Sequence, residues 1–384
     1  MNRWLTMVFV LLSSAAWGQT YYVGLNADMR GGAAVGGEAI RRGAEMAISE
    51  INRSGQLGDT RLELIVKDHR GNPARGADNV QDFASNPDVI TILGGIHTPV
   101  VLHELPLIHK LKIPYLIPWA AGTPVIEHDY QPSYVFRLSV RDEHAGPVLI
   151  KHARDTGIKK VALFLERTGW GRSNDRSMNH AANELGINVV ATTWFNWGER
   201  QFSQALNDAI EAGAEAIMLV ANAPEGVSIT RAMAELAGDK RVPIISHWGI
   251  TGGRFSEMAG RDTLNNVDLR VLQTYLFQES RLNAVARRVQ QRYLEQYPET
   301  NGYIEAVPGF AHSYDLMHLL ALAIKQTKNV SRSNIRQQLE NLPSHQGIVR
   351  LYQPAFSKDQ HEALGPSDYN IARYDSEGRL VLWE

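Results

Sequence analysis

The 384-residue sequence contains no cysteine. This excludes disulfide bonds, thiolate metal ligands, a cysteine nucleophile and lipid attachment through a cysteine side chain. Basic residues are not in excess either, because 39 Lys and Arg stand against 41 Asp and Glu. A nucleic-acid partner is therefore not expected, since such proteins use a positively charged surface to neutralise phosphates.

Motifs of several common enzyme classes are also missing. The sequence has no G-x-S-x-G nucleophile elbow, no G-x-x-x-x-G-K-[ST] phosphate loop and no H-E-x-x-H zinc motif. His103, Glu104 and His109 resemble a metal site superficially, but Pro106 interrupts them and their spacing is wrong for one helix face. We therefore predict no catalytic residue, no metal ligand and no cofactor.

Long hydrophobic runs are absent except near the N-terminus. Residues 4–12 are apolar and follow Arg3, but the run is too short to span a bilayer. Ala16 and Gly18 supply the small side chains of a cleavage site. Residues 1–18 are thus predicted to be a cleaved signal peptide that exports the protein to the periplasm without a lipid anchor; a buried first strand or helix is the alternative.

Strand-like and helix-like stretches alternate through most of the remaining chain. Strands are predicted at residues 21–26, 61–67, 89–93, 114–117, 161–165, 189–195, 216–220 and 243–246. Helices are predicted at residues 38–53, 73–84, 100–110, 177–185, 202–212, 227–236, 283–296 and 310–325. The alternation indicates an α/β protein whose parallel sheets are covered by helices on both faces. Two such blocks, residues 21–137 and 144–270, predict two domains.

Ligands of open α/β sheets bind at the carboxyl ends of strands, so the loops after the strands are the candidate sites. Residues 28–37 are rich in glycine, which would let backbone N–H groups approach an anion, although a plain mobile loop is equally compatible. Residues 94–99 end in Thr98, which is placed either to cap the next helix or to face the cleft.

Two further features follow predicted strands. Residues 118–124 form a stiff loop of small residues between two prolines, suited to binding a carboxylate through the main chain. Trp170 and Trp248 each follow a strand of the second block. Tryptophans are more often part of the core, but at strand ends they can instead cover a ligand.

Short segments along nearly the whole chain resemble the periplasmic solute-binding proteins of the branched-chain amino acid type, which have the type I fold of ABC importers. These segments are residues 42–47, 50–52, 67–68, 93–95, 113–120, 134–137, 159–162, 170–171, 202–206 and 311–315. The resemblance implies two doubly wound parallel-sheet lobes joined by three hinge crossings. Lobe one would comprise residues 19–138 and 275–345, and lobe two residues 139–274 and 346–384.

The resemblance also implies roles for individual residues. Thr98 and the loop at Ala120, with Gly122 or Thr123, would hold a ligand carboxylate, and Trp170 would cover the ligand. The full set of predicted ligand-binding residues is Arg30, His97, Thr98, Trp119, Ala120, Ala121, Gly122, Thr123, Trp170, Asn222, Trp248 and Thr251. The implied partners are a small-molecule ligand and the membrane permease of an ABC importer.

The chain departs from the family pattern in two places. The loop at residues 248–252 lacks the acidic residue that holds the ligand ammonium group, and the aromatic residue of the first loop is replaced near Gly36. Either Asp28 or Glu166 takes the role of the acid, or the ligand has no ammonium group. Amino acids and small aromatic or aliphatic carboxylates are therefore both expected ligands. A ligand-sensing subunit of a membrane receptor is an alternative function, and a hydrolase a more distant one.

Overall fold

A computed structural model describes residues 18–383, and the predicted signal peptide lies outside this range except for Gly18. The N-terminal part of the chain forms a parallel sheet with the strand order β2-β1-β3-β4-β5. Its strands are β1 (Thr20–Ala27), β2 (Arg61–Asp68), β3 (Val89–Gly94), β4 (Tyr115–Ile117) and β5 (Val135–Arg137). We call this the first sheet.

The second sheet has the order β14-β13-β10-β9-β8-β6-β7. Its members are β6 (Lys160–Glu166), β7 (Asn188–Phe195), β8 (Ala216–Val220), β9 (Ile244–Ser246), β10 (Leu269–Gln273), β13 (Asn370–Tyr374) and β14 (Leu380–Leu382). Strands β6 to β10 are parallel, whereas β13 and β14 pair antiparallel at one edge. A separate hairpin joins β11 (His345–Gln346) to β12 (Leu351–Tyr352).

Twelve α-helices connect these strands within the described residues. They are α1 (Ala34–Ser54), α2 (Pro73–Ser85), α3 (Thr98–Leu111), α4 (Asp142–Asp155), α5 (Gly169–Leu185), α6 (Ser203–Glu211), α7 (Ala223–Glu235), α8 (Phe255–Ala259), α9 (Arg261–Asn265), α10 (Ala284–Gln296), α11 (Val307–Gln326) and α12 (Arg332–Leu339). The predicted α/β alternation is confirmed. In residues 18–383, no helix combines the length and apolar character needed to cross a membrane.

Helices α1, α3, α5, α7 and α11 begin earlier than predicted, and α5 differs most. Helix α5 starts at Gly169 rather than at residue 177, because the Thr168 hydroxyl accepts the N–H groups of Trp170 and Gly171 and so caps the helix. Trp170 therefore lies in the first turn of a helix and not in a loop. Helix α1 starts at Ala34, so Gly36 and Gly37 of the predicted loop are helical; their low helix propensity concealed the start.

The chain crosses between the two sheets three times. The first crossing follows β5, the second follows β10 and the third precedes β13. The third crossing returns to the first sheet, where Arg137 and Glu362 form an isolated parallel bridge. The Arg137 N–H donates to the His361 carbonyl at 2.8 Å, and the Ala363 N–H donates to the Arg137 carbonyl at 2.9 Å. The first and third crossings are thereby joined by backbone hydrogen bonds.

A buried polar cluster attaches helix α3 to the first sheet. Glu104 accepts hydrogen bonds from Asn26 Nδ2 at 2.8 Å and from the Tyr115 hydroxyl at 2.6 Å. Burial raises the pKa of Glu104 to about 8, because water no longer solvates the ionised carboxyl. The cluster fixes α3, whose first residue is Thr98, relative to β1 and β4.

Replacement of this acid tests the cluster through pH-dependent stability. Between about pH 4.5 and 8, Glu104 is protonated in the folded chain but ionised in the unfolded chain. The stability of the protein therefore falls as the pH rises through this window. From pH 5 to pH 8 the wild type should lose roughly 2–4 kcal/mol of unfolding free energy that Glu104→Gln retains, because glutamine does not titrate. Urea denaturation at both pH values measures this; equal pH dependence in the two proteins would contradict it.

Candidate ligand-binding site

A cavity lies where the carboxyl ends of the two sheets face each other. One wall comes from the loops after β3 and β4, and the other from the ends of β6, β8 and β9 and the start of α5. The lining residues are Ile96, His97, Thr98, Pro99, Trp119, Ala121, Glu166, Trp170, Asn222, Trp248 and Gly249. Its volume is about 10 Å³, close to the least that one water molecule requires. An organic ligand can enter only if the two walls separate.

The cavity brings together seven of the twelve residues predicted to bind ligand. They are His97, Thr98, Trp119, Ala121, Trp170, Asn222 and Trp248. Strand alternation alone placed these residues at strand ends, and the sheet topology explains why the ends converge. Four lining residues were not in the predicted set, namely Ile96, Pro99, Glu166 and Gly249.

The other five predicted residues lie outside the cavity lining. The Arg30 side chain is 73% exposed and its nearest carboxylate, Asp68, is 3.9 Å away. Thr251 lines a separate surface pocket, and its hydroxyl donates to the Trp248 carbonyl at 2.7 Å. The Thr123 hydroxyl accepts the N–H of Glu143 at 3.0 Å.

Ala120 and Gly122 support the cavity from behind. The Ala120 N–H donates to the Gly95 carbonyl at 2.6 Å, so this N–H is already paired within the protein. The carbonyls of Ala120 and Gly122 accept hydrogen bonds from Arg137 Nη1 at 3.3 and 2.9 Å. The predicted main-chain contact of Ala120 with a carboxylate would require this pairing to change.

Thr98 does not act as the helix cap that the sequence offered as one reading. It is the first residue of α3, and His97 occupies the capping position. The Thr98 hydroxyl oxygen instead accepts the N–H of Gly122 at 3.1 Å. A hydroxyl has one proton to donate and two lone pairs, so Thr98 joins the two first-sheet loops and can still donate to a ligand.

Glu166 is the one carboxylate in the cavity lining. It is the last residue of β6 and is fully buried. Its oxygens accept hydrogen bonds from Thr168 Oγ1 at 2.6 Å, Trp197 Nε1 at 2.8 Å and Asn222 Nδ2 at 2.9 Å. Burial raises the pKa of Glu166 to about 7, and the negative charges of Glu225 and Asp142 add to the effect.

A buried carboxylate and imidazole fix the orientation of Trp170. Trp170 Nε1 donates to Asp142 Oδ1 at 3.1 Å. His247 Nε2 lies 3.2 Å from the same oxygen, and its ring stands perpendicular to the indole with centroids 5.0 Å apart. Asp142 and His247 are fully buried behind the indole. They hold the Trp170 ring in place against Gly249, which has no side chain to block it.

Two tryptophans meet across the cavity from opposite sheets. Trp119 follows β4 and Trp248 follows β9, and their ring centroids are 5.1 Å apart at an interplanar angle of 31°. This contact belongs to the closed arrangement of the two walls. A flat or apolar ligand group would replace it by inserting between the two indoles.

The glycine-rich loop at residues 28–37 binds its own Asp28 carboxylate and lies close to the other side of the cleft. The Asp28 carboxylate already accepts the N–H groups of Gly31 at 2.6 Å and Ala33 at 3.2 Å, so these groups are unavailable to a ligand anion. Burial opposes ionisation of Asp28, but His97 and these N–H groups outweigh it and lower the pKa to about 2. A Cβ atom on Gly32 would come within 3.1 Å of Pro224 on the other side of the cleft.

Residues 20–379 match the model of a protein family described as periplasmic binding protein. Among curated relatives, a Leu/Ile/Val-binding protein homolog of Brucella suis is 25% identical over 255 residues. The aligned region covers 65% of this chain and 66% of the relative, which is just under two thirds of its length.

Solved structures show the same fold. A branched-chain amino acid transporter substrate-binding protein of Streptococcus pneumoniae in complex with isoleucine has a TM-score of 0.81 at 20% identity, covering 94% of this chain and 98% of that one. A solute-binding protein of R. palustris in complex with benzoate has a TM-score of 0.80 at 17% identity, covering 94% and 95%.

The match to the family model covers nearly all of the described residues, and the solved structures share both sheets. The resemblance inferred from the sequence is therefore confirmed, together with the two-lobed α/β architecture. This chain belongs to the periplasmic binding protein family.

Proposed function

We propose that this chain is the exported solute-binding component of an ABC importer and captures an amino acid or small carboxylate in the cleft between its lobes. The observation that carries the proposal is the cavity at the facing ends of the two sheets, lined from both sides. Relatives named for leucine, isoleucine and valine, and structural neighbours holding isoleucine or benzoate, support this ligand range. The periplasm and a membrane permease belong to the same proposal.

The lobes in this proposal are residues 19–138 with 275–345, and residues 139–274 with 346–384. The packing of helix α11 supports the assignment of residues 275–345, because a Cβ atom on Gly43 of α1 would lie 2.2 Å from the Phe310 carbonyl oxygen. Strands β13 and β14 support the assignment of residues 370–382 to lobe two, since they extend the second sheet. The segment before them contacts lobe one, because Asp315 of α11 accepts the N–H groups of Ile348 and Val349.

Ligand capture follows from hinge closure. In an open form, Thr98 and Trp119 of lobe one are separated from Trp170 and Trp248 of lobe two, and the ligand enters between them. Closure then covers the ligand with groups from both lobes and removes it from water. A ligand shifts the protein toward the closed form only through contacts that the open form does not make.

The proposal contains no catalytic step. Two buried acid–imidazole pairs lie near the cavity: Asp28 with His97, which lines it, and Asp142 with His247, which lie behind the Trp170 indole. A general base must reach the reacting proton within hydrogen-bond distance. The Asp142–His247 pair instead orients Trp170, and Asp28 joins His97 to the N–H groups of Gly31 and Ala33, so both pairs have positioning roles in this proposal.

A ligand screen by thermal unfolding tests the proposal. L-Leucine, L-isoleucine, benzoate and 4-hydroxybenzoate are added separately to the purified chain. A ligand at 100 times its Kd stabilises the folded protein by about 2.7 kcal/mol, so a true ligand raises the unfolding midpoint in a concentration-dependent way. If amino acids and organic acids of every class leave the midpoint unchanged, solute binding of this type is refuted.

Thr98 is expected to hold the ligand carboxylate through its hydroxyl. Thr98→Ala removes that donor and also leaves the Gly122 N–H without its acceptor. Affinity for a carboxylate ligand should fall by roughly 1–3 kcal/mol, measured by isothermal titration calorimetry. Thr98→Ser keeps the hydroxyl and should bind within a few-fold of wild type. Unchanged affinity in the alanine variant would remove Thr98 from the site.

Gly32 tests closure independently of the ligand's identity. A leucine at this position would contact Pro224 and hold the lobes apart, because the Cβ atom alone comes within 3.1 Å of that ring. Gly32→Leu should show a larger radius of gyration than wild type by small-angle X-ray scattering, together with weaker ligand binding. Gly238→Leu is the matched control, since a Cβ atom there meets open space. Identical scattering from the Gly32 variant and wild type would contradict the closure mechanism.

A further inference from the structure

The cavity carries negative charge that the protein itself leaves unbalanced. Among the described residues lining the cavity, Glu166 is the carboxylate and neither Lys nor Arg is present. The other titratable groups near the Glu166 carboxyl are Asp142 and Glu225, which are also acidic, and His97 across the cleft. A buried carboxylate is costly unless a positive charge accompanies it. At neutral pH a proton neutralises Glu166 only in part, because its pKa is about 7, and a cationic ligand can supply the remaining positive charge.

Asp28, the other acid that the sequence offered for this role, is already engaged. Its carboxylate accepts the N–H groups of Gly31 and Ala33 and lies 3.2 Å from His97 Nε2. It lines a shallower pocket at the side of the cleft rather than the central cavity. Glu166 is consequently the counter-ion available to a bound cation.

The hydrogen bonds of Glu166 restrict what kind of cation fits. A carboxylate has about four acceptor sites, and three hydrogen bonds already reach it, from Thr168, Trp197 and Asn222. A primary ammonium group brings three N–H donors, and Glu166 can accept only about one of them. Each N–H left unpaired in a closed cavity reduces affinity. A cation without N–H groups avoids this loss.

The remaining walls of the cavity favour the same kind of cation. Trp119, Trp170 and Trp248 all line it, and the faces of indole rings attract positive charge without accepting classical hydrogen bonds. Trp170 is held in a fixed orientation by its bond to Asp142. Trp119 and Trp248 come from opposite sheets, so opening of the cleft widens the 5.1 Å separation between their rings and admits a methylated group.

We propose that the cavity selects a quaternary ammonium group, with its charge opposite Glu166 and its methyl groups against Trp119, Trp170 and Trp248. This inference rests on the proposed solute-binding function, defines the ligand by its cationic group, and extends the ligand class beyond carboxylates to alcohols. It favours N-methylated amino acids and choline-like alcohols over free amino acids and aromatic carboxylates. The carboxylate of an N-methylated amino acid would lie toward the Thr98 hydroxyl, on the opposite wall.

Two sets of probes, matched in shape, test charge and methylation separately. Choline is compared with 3,3-dimethylbutan-1-ol, which has the same shape without charge, and with ethanolamine, which keeps the charge but has N–H groups. Glycine betaine is compared with 3,3-dimethylbutanoate and glycine in the same way. Isothermal titration calorimetry on the purified full chain should show at least one quaternary probe binding at least about tenfold more tightly than both of its counterparts.

Glu166→Gln identifies the group that carries the preference. Glutamine keeps the size of the side chain, and its oxygen can still accept from Asn222 and Trp197, but it loses the charge and the hydrogen bond from Thr168. Quaternary-probe affinity should fall at least about tenfold. Glu104→Gln is the control for the substitution itself, because it replaces another fully buried glutamate, located in the polar cluster between α3 and the first sheet, and should bind like wild type. Trp119→Leu should weaken the same probes while leaving the fold intact by circular dichroism.

The outcomes separate this inference from the proposed function. If leucine, benzoate or another free acid binds and the quaternary probes do not, the solute-binding function stands and the quaternary ammonium assignment is wrong. Equal affinity for a quaternary probe and its primary amine, or unchanged affinity in Glu166→Gln, overturns the assignment as well. If no probe and no ligand of the earlier screen binds, both proposals fail.

Discussion

The buried ion pair between Arg137 and Glu362 holds together the parts from which the site is built. Arg137 is fully buried, and its Nε donates to Glu362 Oε1 at 2.7 Å, while Arg141 Nη1 donates to Oε2 at 2.8 Å. Burial raises the pKa of Glu362, but the two guanidinium charges outweigh this and leave it below its usual value. Removal of one partner of such a pair typically costs about 3–5 kcal/mol, because the other charge stays buried alone. The pair joins the first and third crossings at the point where the lobes must hinge.

The same guanidinium decides which residues of the loop after β4 reach the ligand cavity. Arg137 Nη1 binds the carbonyls of Ala120 and Gly122, which turns these two residues away from the cleft. Trp119 and Ala121, whose carbonyls Arg137 does not bind, line the cavity. The sequence predicted all four residues as a continuous site because the loop between its two prolines has no periodic pattern. The alternation is imposed by a charge that lies fifteen or more residues further along the chain.

Local sequence patterns were sufficient for most of the longer elements and for the strand ends at which the site forms, but not for helix α4 or strands β5 and β10. They were insufficient for contacts between distant segments. Glu362 lies 225 residues from Arg137, and nothing near either residue indicates the pairing. The glycine-rich loop shows a related difficulty, since its exposed N–H groups predict an anion site, but the Asp28 carboxylate within the loop occupies them. Glu166 was recognised as one possible acid, and its position in the cavity wall distinguishes it from Asp28, which lines a separate pocket and binds His97 and its own loop.

Glu166 and Glu104 show how burial of an acid can have different consequences in the same protein. Both are fully buried with raised pKa values, so both reduce stability at neutral pH. Glu104 belongs to a closed cluster that holds helix α3 on the sheet. Glu166 lines the cleft, and closure places His97, Thr98 and Trp119 of the opposite wall over it. Closure without a compensating charge thus excludes water from an ionised carboxylate, which disfavours the closed form. A cationic ligand removes that penalty only in the closed form, and this difference in interaction is what a ligand needs to drive closure.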